Sequence, residues 1–124
     1  MSNVLIVDDE PEIREIVREI LVQNGHRVTE ATDGLDAVER LTHSHFDLII
    51  SDFTMPRMGG LGILKYLRKN GVRTPTLILS GSTISGLDDE AHLKELGAWA
   101  IVRKPIEIDE LMESIKDALA HAPA

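Results

Sequence analysis

Five short apolar runs alternate along this chain with five segments of helical periodicity, and this alternation constrains the fold more than any other feature. The runs at residues 4–7, 48–50 and 77–79 are continuous rather than alternating, which is typical of strands buried on both faces. Between them, apolar residues recur every three or four positions, as from Ile13 to Leu21, which indicates amphipathic helices. Repeated strand–helix units favour an α/β fold, a doubly wound parallel sheet with helices on both faces.

Proline, glycine and acidic residues set the predicted limits of these elements. Pro11 suits the first turn of a helix, and Asn24 with Gly25 suits its end. Residues 81–89 are rich in glycine and serine and are predicted to form a mobile loop, with the acids at 88–90 marking the start of the fourth helix. The predicted strands are residues 3–8, 27–31, 47–52, 75–80 and 99–103, and the predicted helices begin near Pro11, Gly34, Gly60, Glu90 and Ile108.

Bulk properties agree with one globular domain over residues 1–124. Of the 124 residues 43% are hydrophobic and none is cysteine, so a core is feasible without disulfides or thiolate zinc sites. No apolar run approaches the roughly 18 residues of a membrane span, and the N-terminus lacks the features of a signal peptide. We therefore expect a cytoplasmic protein without membrane insertion. Its net charge of −8 argues against direct nucleic-acid binding.

Several polar residues directly follow the predicted strands. Asp8 and Asp9 follow the first strand, Asp52 ends the third, Ser80 ends the fourth, and Lys104 follows the fifth. The carboxyl ends of parallel strands meet at one edge of the sheet, where α/β proteins bind ligands. We therefore expect three acids, a hydroxyl and an amine to converge at that edge.

Three carboxylates in one place repel one another, which would force some of them to hold a proton. A divalent cation removes this repulsion, and an oxygen-only set favours Mg²⁺, or Mn²⁺ in its place. Asp52 is then predicted to attack phosphorus, with Lys104 holding one phosphate oxygen and Ser80 donating a hydrogen bond to another. Phosphoryl transfer requires mainly positioning and charge neutralisation, and these residues would provide both.

The segments that carry these residues resemble those of response-regulator receiver domains, the phospho-accepting modules of two-component signalling. They are VLIVDDE at residues 4–10, LIISDFTMPRMGG at 48–60, LILSG at 77–81 and GAWAIVRKPI at 97–106. Each segment alone is a weak signal, but all four occur in the family's order across the chain. The ordered set resembles the single-domain, chemotaxis-regulator-like members of the family.

The resemblance implies a flavodoxin-like sheet of five strands in the order 2-1-3-4-5, with five flanking helices. It also implies phosphorylation of Asp52, a switch role for Ser80, a phosphate contact from Lys104 and a cis peptide bond before Pro105. The metal ligands that it implies are Asp8, Asp9, Asp52 and the backbone carbonyl of Thr54.

The resemblance further implies partners and a limited chemistry. A sensor histidine kinase or a phosphotransfer protein would donate the phosphoryl group. Phosphorylation would change the surface of the fourth helix, fifth strand and fifth helix, where an unknown downstream protein binds; a homodimer is left open. The chain would be a stoichiometric acceptor, with intrinsic autophosphorylation and autodephosphorylation only, rather than an enzyme.

Two features depart from the family's pattern. The family usually has an aromatic residue three positions before the lysine, which turns inward on activation, and here that position is Ile101. Trp99 shares strand parity with Ile101 and is predicted either to cover some of the same surface or to pack at the sheet edge. The loop of residues 82–86 is predicted to be looser than usual. Thr54 and Ser82 occupy the positions that tune phosphoryl lifetime in the family.

Simpler interpretations exist for each residue taken alone. Asp8 and Asp9 would cap the first helix, Ser80 would be structural and Lys104 would be a solvated cation. Their register with Asp52 favours function instead. The histidines, which lack metal-site spacing with nearby acids, are predicted to be surface residues: His26, His43, His45, His92 and His121.

Two other functions compete with a phosphorylation-controlled module. A phosphohydrolase of the haloacid-dehalogenase type also uses an aspartate nucleophile, but it needs an acid two residues later to protonate the leaving group, and Thr54 occupies that position. A receiver-like docking module that is insensitive to phosphate is the second alternative, because Ile101 lacks the ring of the usual switch. The intact acidic set argues against it.

Overall fold

The computed structural model describes residues 2–81 and 87–121, without the side chains of residues 87–89. Five strands alternate with five helices, as the apolar pattern predicts. The strands are β1 (Asn3–Val7), β2 (Arg27–Ala31), β3 (Leu48–Asp52), β4 (Thr76–Ser80) and β5 (Ala98–Arg103). The helices are α1 (Pro11–Gln23), α2 (Gly34–His43), α3 (Gly60–Lys69), α4 (Leu87–Glu95) and α5 (Ile108–Ala120). Within this part of the chain, no helix has both the length and the apolar character that crossing a bilayer requires.

The strands form one parallel sheet in the order β2-β1-β3-β4-β5, which confirms the predicted doubly wound, flavodoxin-like fold. The direction of strand order reverses between β1 and β3, and a crevice therefore opens at their carboxyl ends. Val7 pairs with Ser51 across these two strands, so Asp8 and Asp52 follow at the same level. The register of the sheet thus decides which acids meet.

Alternate residues of each central strand are buried against different helices. Val4 and Ile6 lie in a cluster with apolar side chains of α1 and α5. Leu5 and Val7 lie in a second cluster with side chains of α2 and α3. Burial on both faces is the reason that the strand sequences are continuous apolar runs. The packed sheet is a rigid base for the loops at its carboxyl edge.

Helices α1 and α3 are among those that end at glycines whose backbone conformation other residues rarely adopt. Gly25 follows α1 with a φ of 84°, and Gly71 follows α3 with a φ of 67°. Glycine reaches this left-handed region without a Cβ clash, and it stops a helix there. The predicted ends of these two helices are confirmed.

Helix α4 begins at Leu87, three residues before the predicted start at Glu90. The predicted start was wrong because glycine, serine and a weak apolar stripe hide the first turn from a sequence pattern. Residues 88–90 do lie at the beginning of the helix. The predicted mobile loop therefore ends before residue 87, and residues 82–86, including Ser82, lie outside the described part of the chain.

The pairing of β5 with β4 skips Trp99, because successive β4 residues pair with Ala98 and Ala100. Such a bulge shifts the alternation of side chains by one position. Ala98 and Ile101 consequently pack in the same cluster, whereas Trp99 lies against α5 with its ring stacked on that of His121. The expectation that Trp99 covers the surface of Ile101 was wrong, and packing at the sheet edge is what the structure has.

One histidine departs from the predicted surface location. His43, His45, His92 and His121 are exposed, but His26 is half-buried. Its Nδ1 atom is enclosed and has no hydrogen-bond partner among the described residues. Burial lowers the pKa of His26, because the charged imidazolium loses hydration there. The prediction failed because the turn after α1 folds His26 back toward the apolar ends of α1 and α5.

Candidate functional site

Acidic side chains that follow two neighbouring strands meet at the carboxyl edge of the sheet. Asp8 and Asp52 are buried there, whereas Asp9 and Glu10 are exposed. One carboxylate oxygen from each of these four residues lies within 4.8 Å of the other three. The structure thus brings the three predicted acids together. It adds Glu10, which the sequence analysis missed although it directly follows the acidic pair.

The Lys104 ammonium reaches into this acidic cluster from beyond β5. Its Nζ atom lies 3.3 Å from Asp52 Oδ1, 3.5 Å from Asp8 Oδ2 and 3.4 Å from Glu10 Oε1. Burial by itself would favour the neutral amine, but Asp8 and Asp52 outweigh it and raise the pKa of Lys104. Lys104 therefore stays charged among the acids, and it is not a solvated cation.

Burial makes the charged forms of two carboxylates in this cluster, Asp8 and Asp52, less favourable. Burial raises the pKa of Asp8 to about 6, although the backbone N–H of Glu10, which donates to Asp8 Oδ1 at 2.9 Å, opposes the rise. The charge of Asp52 raises it further. Burial also raises the pKa of Asp52, against the effect of Lys104. One ammonium does not neutralise four carboxylates, so the cluster can accept further positive charge.

The donors in this cluster fit a hard divalent cation. They are carboxylates without histidine or cysteine, which suits Mg²⁺ better than a softer metal. The exposed side of the cluster, at Asp9 and Glu10, leaves access for the waters that Mg²⁺ retains. Thr54 follows Asp52 by two residues and is exposed; the ligand role of its carbonyl stays a prediction.

Ser80 is buried at the end of β4, the strand next to β3. Asp52 pairs with Leu79, so Ser80 lies one residue beyond the level of that acid. The Ser80 hydroxyl donates to the next carbonyl at 3.2 Å, and its own carbonyl accepts the backbone N–H of Lys104 at 2.7 Å. The peptide bond between Lys104 and Pro105 is cis, as the family resemblance implies. The backbone hydrogen bond thus joins Ser80 to Lys104 at the carboxyl ends of β4 and β5.

The loop from β3 to α3 is fastened to the start of α2 by contacts that the sequence analysis missed. Arg57 Nε donates to Asp33 Oδ2 at 2.6 Å, and Asp33 Oδ1 accepts the N–H of Asp36 and caps α2. The N–H of Gly34 donates to the Met58 carbonyl at 2.8 Å. The hydrogen bond from Arg57 is the main cause of a lowered pKa of Asp33. Arg57 and Asp33 lie 24 positions apart, so no local sequence pattern indicates their contact.

Ile101, the atypical switch position, is half-buried beneath α4. It packs on a cluster that includes Leu93 of α4 and Ala98 of β5. Arg103 of β5 also forms an ion pair with Glu90 of α4. Helix α4 is therefore joined to β5 by apolar packing and by a charge pair, where the family usually has an aromatic ring.

A sequence model of the response regulator receiver domain matches residues 4–116. The chain belongs to the response regulator receiver family. Its fold and strand order agree with this assignment, and so do the acids and the lysine at the carboxyl edge of the sheet. As a receiver domain, it is a component of two-component, phosphorelay signalling.

Individual relatives support the same assignment. The receiver is 35% identical over 112 residues to the transcriptional regulatory protein DltR of Streptococcus agalactiae, which is 90% of this chain and 49% of DltR. The chain thus spans about half the length of that regulator. It is 33% identical over 118 residues to sporulation initiation phosphotransferase F of Bacillus subtilis, which is 95% of this chain and 94% of that protein. The receiver domain of Francisella response regulator 1452 matches with a TM-score of 0.89 at 29% identity, over 97% of this chain and 98% of that one.

Proposed function

We propose that this receiver, over residues 1–124, accepts a phosphoryl group on Asp52 from a histidine kinase or a phosphotransfer protein. The observation that carries the proposal is the position of a buried carboxylate, Asp52, 3.3 Å from a charged lysine, Lys104. Asp8 and Asp9 lie in the same acidic cluster. A carboxylate held beside a fixed ammonium and other carboxylates is suited to phosphoryl transfer, because that reaction depends on positioning and charge neutralisation.

The transfer is a displacement at phosphorus. A carboxylate oxygen of Asp52 forms a bond to phosphorus while the bond from phosphorus to the donor's imidazole nitrogen breaks. That nitrogen keeps the electron pair. Lys104 has three N–H donors, so it can hold a phosphoryl oxygen while it remains near Asp52. The Ser80 hydroxyl, one strand away, is placed to donate to a second phosphoryl oxygen once it leaves its local carbonyl.

Asp8, Asp9 and Asp52, with the carbonyl of Thr54, would hold a Mg²⁺ or Mn²⁺ ion, and Glu10 supplies a further carboxylate within reach of the cluster. When bound, the ion supplies positive charge that offsets the carboxylate repulsion and the charge of the incoming phosphoryl group. The residues themselves keep the acceptor carboxylate fixed at the strand end and partly shielded from water.

The reaction is stoichiometric rather than catalytic for an external substrate. A phosphohydrolase with an aspartate nucleophile needs an acid to protonate its leaving group, and the Thr54 hydroxyl, an alcohol, is too weak an acid for that role near neutral pH. Small phosphodonors would still load Asp52, and water would slowly remove the group. These two reactions are the autophosphorylation and autodephosphorylation expected of the module.

An apolar groove beside Lys104 is suited to the docking of the phosphodonor protein. It lies between α1 and the segment that joins β5 to α5, and its volume is about 600 Å³. Ile16 and Ile108, which line it, are 43% and 54% exposed. Apolar side chains exposed next to a reactive site are typical of a protein interface. The downstream partner, or a second copy of the receiver, would bind the separate surface of α4, β5 and α5.

The proposal is tested by incubation with acetyl phosphate or phosphoramidate and Mg²⁺, followed by intact-mass measurement. We expect one phosphoryl adduct on the wild-type protein, no adduct on Asp52→Asn, and no adduct on the wild type when EDTA replaces Mg²⁺ during the incubation. Asp47→Asn is the matched control, because Asp47 lies at the opposite end of β3 and should keep the adduct. An adduct that persists in Asp52→Asn, or none on the wild type, would refute the proposal.

A docking module that is insensitive to phosphate is the second candidate, and Ile101 is the observation in its favour. Ile101 is already packed against the apolar cluster that includes Leu93 of α4 and Ala98 of β5. It also has no ring to turn inward. The discriminating measurement is partner binding with and without beryllofluoride, which mimics the phosphoryl group. Equal affinity in the two conditions would favour this candidate, and a changed affinity would favour a phosphorylation-controlled module.

A further inference from the structure

One segment of this acidic chain carries cations and no acids. Residues 53–87 contain five lysines and arginines and no acid, although the chain has a net charge of −8. Four of the five are exposed on α3 and the loop that follows it: Lys65, Arg68, Lys69 and Arg73. The three on α3 are three and four residues apart and therefore share one face of the helix. These four residues are called the basic patch below.

Helix stability alone does not account for the basic patch. Arg68 and Lys69 lie in the last turn of α3, where positive charge complements the helix dipole. Lys65 lies one turn earlier, and Arg73 lies beyond the helix. Four exposed like charges this close together repel one another unless an anion lies between them. The patch is therefore suited to a negatively charged partner.

A groove runs beside the basic patch, beneath the ends of α3 and α4. Its volume is about 540 Å³. Its lining includes the cations Arg68 and Arg73 and the apolar residues Leu67, Pro75, Leu96 and Trp99. Trp99 is 36% exposed, so its indole presents an apolar wall to solvent. Glu95 also lines the groove, and its backbone carbonyl accepts a hydrogen bond from Arg68 at 3.1 Å.

This groove lies at the edge of the sheet opposite Asp52. Two of its lining residues, Pro75 and Gly97, directly precede β4 and β5, and the amino ends of parallel strands face away from their carboxyl ends. An occupant of the groove would therefore not compete with a phosphoryl group or a metal ion. The inference below does not depend on phosphorylation of Asp52, although Glu95 of α4 and Trp99 of β5 belong to the surface that the proposed function gives to a downstream partner.

We propose that the basic patch and its groove bind an acidic segment of a partner protein that carries an apolar or aromatic side chain. Carboxylates would pair with Arg68 and Arg73, whose guanidinium groups can bind them in a bidentate manner. The apolar side chain would lie against Trp99 and Leu96. A polynucleotide fits less well, because it would extend past four cations onto the surface of a chain whose net charge is −8.

The probe for the test is a short fluorescein-labelled peptide of glutamates around one central phenylalanine. Binding is measured by fluorescence anisotropy and by the emission of Trp99, which is the only tryptophan in the chain. We expect a saturable rise in anisotropy, a blue shift of the indole emission, and weaker binding at high salt. The affinity should be unchanged in Asp52→Asn. A double variant, Arg68→Glu with Arg73→Glu, should bind roughly tenfold or more weakly.

Arg18→Glu with Arg27→Glu is the matched control, because both residues are exposed, lie away from the groove and change the net charge by the same amount. It should stay within about twofold of the wild type. Circular dichroism checks that each variant is folded. If the groove variant fails to fold, Lys65→Gln with Lys69→Gln replaces it and should also weaken binding relative to the control.

Four outcomes would overturn the inference. The first is an equal loss of peptide affinity in the groove and control variants, and the second is an emission of Trp99 that does not change when the peptide is added. The third is tighter binding of a single-stranded oligonucleotide that has the same charge as the peptide. The fourth is a salt-sensitive dimer of the wild type that the groove variant does not form. The third would assign the patch to nucleic acid and the fourth to a second copy of the chain. Phosphorylation of Asp52 is measured on the same samples, so failure here is distinguishable from failure of the proposed function.

Discussion

The Nζ atom of Lys104 lies 3.3 Å from Oδ1 of Asp52, although Lys104 follows β5, Asp52 ends β3, and these two strands are not neighbours. Strand β4 lies between β3 and β5, so the lysine side chain extends past the end of β4, which carries Ser80. The cation therefore meets the acid at the carboxyl edge of the sheet, on which Ser80 also lies. This relationship makes Lys104 both a structural counter-ion and a candidate phosphate ligand.

Replacing Lys104 by methionine should destabilise the protein in the absence of divalent cations. Asp8 and Asp52 would remain buried without their counter-ion, and removing one partner of a buried charge pair is costly. We expect the free energy of unfolding to fall on the order of 2 kcal/mol near neutral pH, as measured by urea denaturation. Lys65→Met, at an exposed position of α3, is the control and should change stability little. A Lys104→Met variant as stable as the control would contradict this prediction.

Replacing Asp8 by asparagine should have the opposite effect. The Asp8 carboxyl has a pKa of about 6 in the folded protein and 3.8 as its ordinary value. Between these values the folded state binds more protons, so the contribution of Asp8 to stability decreases as the pH rises to about 6 and remains low above it. Asp8→Asn removes this penalty and should raise the free energy of unfolding on the order of 1 to 3 kcal/mol near pH 8.

The gain from Asp8→Asn should be smaller at about pH 5, where the wild-type carboxyl is mostly protonated. Urea denaturation in EDTA at the two pH values measures the difference. Glu19→Gln, an exposed substitution on α1, controls for the loss of one negative charge. The same Asp8→Asn variant should lose most of the stabilisation that Mg²⁺ confers on the wild type. A gain that is independent of pH would mean that repulsion at Asp8 is not its cause.

His26 should make the protein less stable in acid. Burial lowers the pKa of His26 below 6.5, so the unfolded chain binds a proton before the folded protein does, and stability is lost as the pH falls through that range. His26→Asn cannot be protonated there. As the pH is lowered from about 8 to about 5, the free energy of unfolding of the variant should therefore rise relative to that of the wild type. A difference that stays constant over this interval would show that His26 is not responsible.

Gly34 and Gly62 both lie close to Met58 in the folded protein, and they should respond differently to substitution by alanine. A Cβ at Gly62 would meet only the flexible side chain of Met58, whereas a Cβ at Gly34 would lie 2.5 Å from both the Met58 Cγ and the Met58 carbonyl oxygen. Gly34→Ala should therefore displace the loop that follows Asp52 and destabilise the protein by about 1 to 3 kcal/mol. Gly62→Ala should be nearly neutral, because the methionine can move and alanine favours the helix.

Thermal unfolding of these two glycine variants, together with the rate of adduct formation from acetyl phosphate, measures the effect. Met58→Ala in the Gly62→Ala background tests this side-chain contact. Because the substitution removes the side chain that the new Cβ would meet, no clash should lower the stability of the double variant further. Equal stabilities of Gly34→Ala and Gly62→Ala would contradict the role given to the backbone of the loop.

Some contacts at the carboxyl edge of the sheet could be predicted from the sequence, and others could not. The acids after β1 and β3, Ser80 and Lys104 were predicted to meet because carboxyl ends of parallel strands share an edge, and the structure brings them together. The ion pair of Arg57 with Asp33 was missed because it joins residues 24 positions apart, and no local pattern encodes such a contact. Glu10 was missed because its position next to an acidic pair does not reveal which way its side chain turns.

The sequence by itself determined the order of elements, the parallel sheet and the set of residues at its carboxyl edge. These features depend on local periodicity and on the end of each strand, which neighbouring residues largely control. Only the tertiary structure decided the bulge that turns Trp99 toward α5, the burial of His26, and the groove beside the basic patch. Each of these depends on the register or packing of elements that are distant in sequence, and the energies involved arise only when those elements touch.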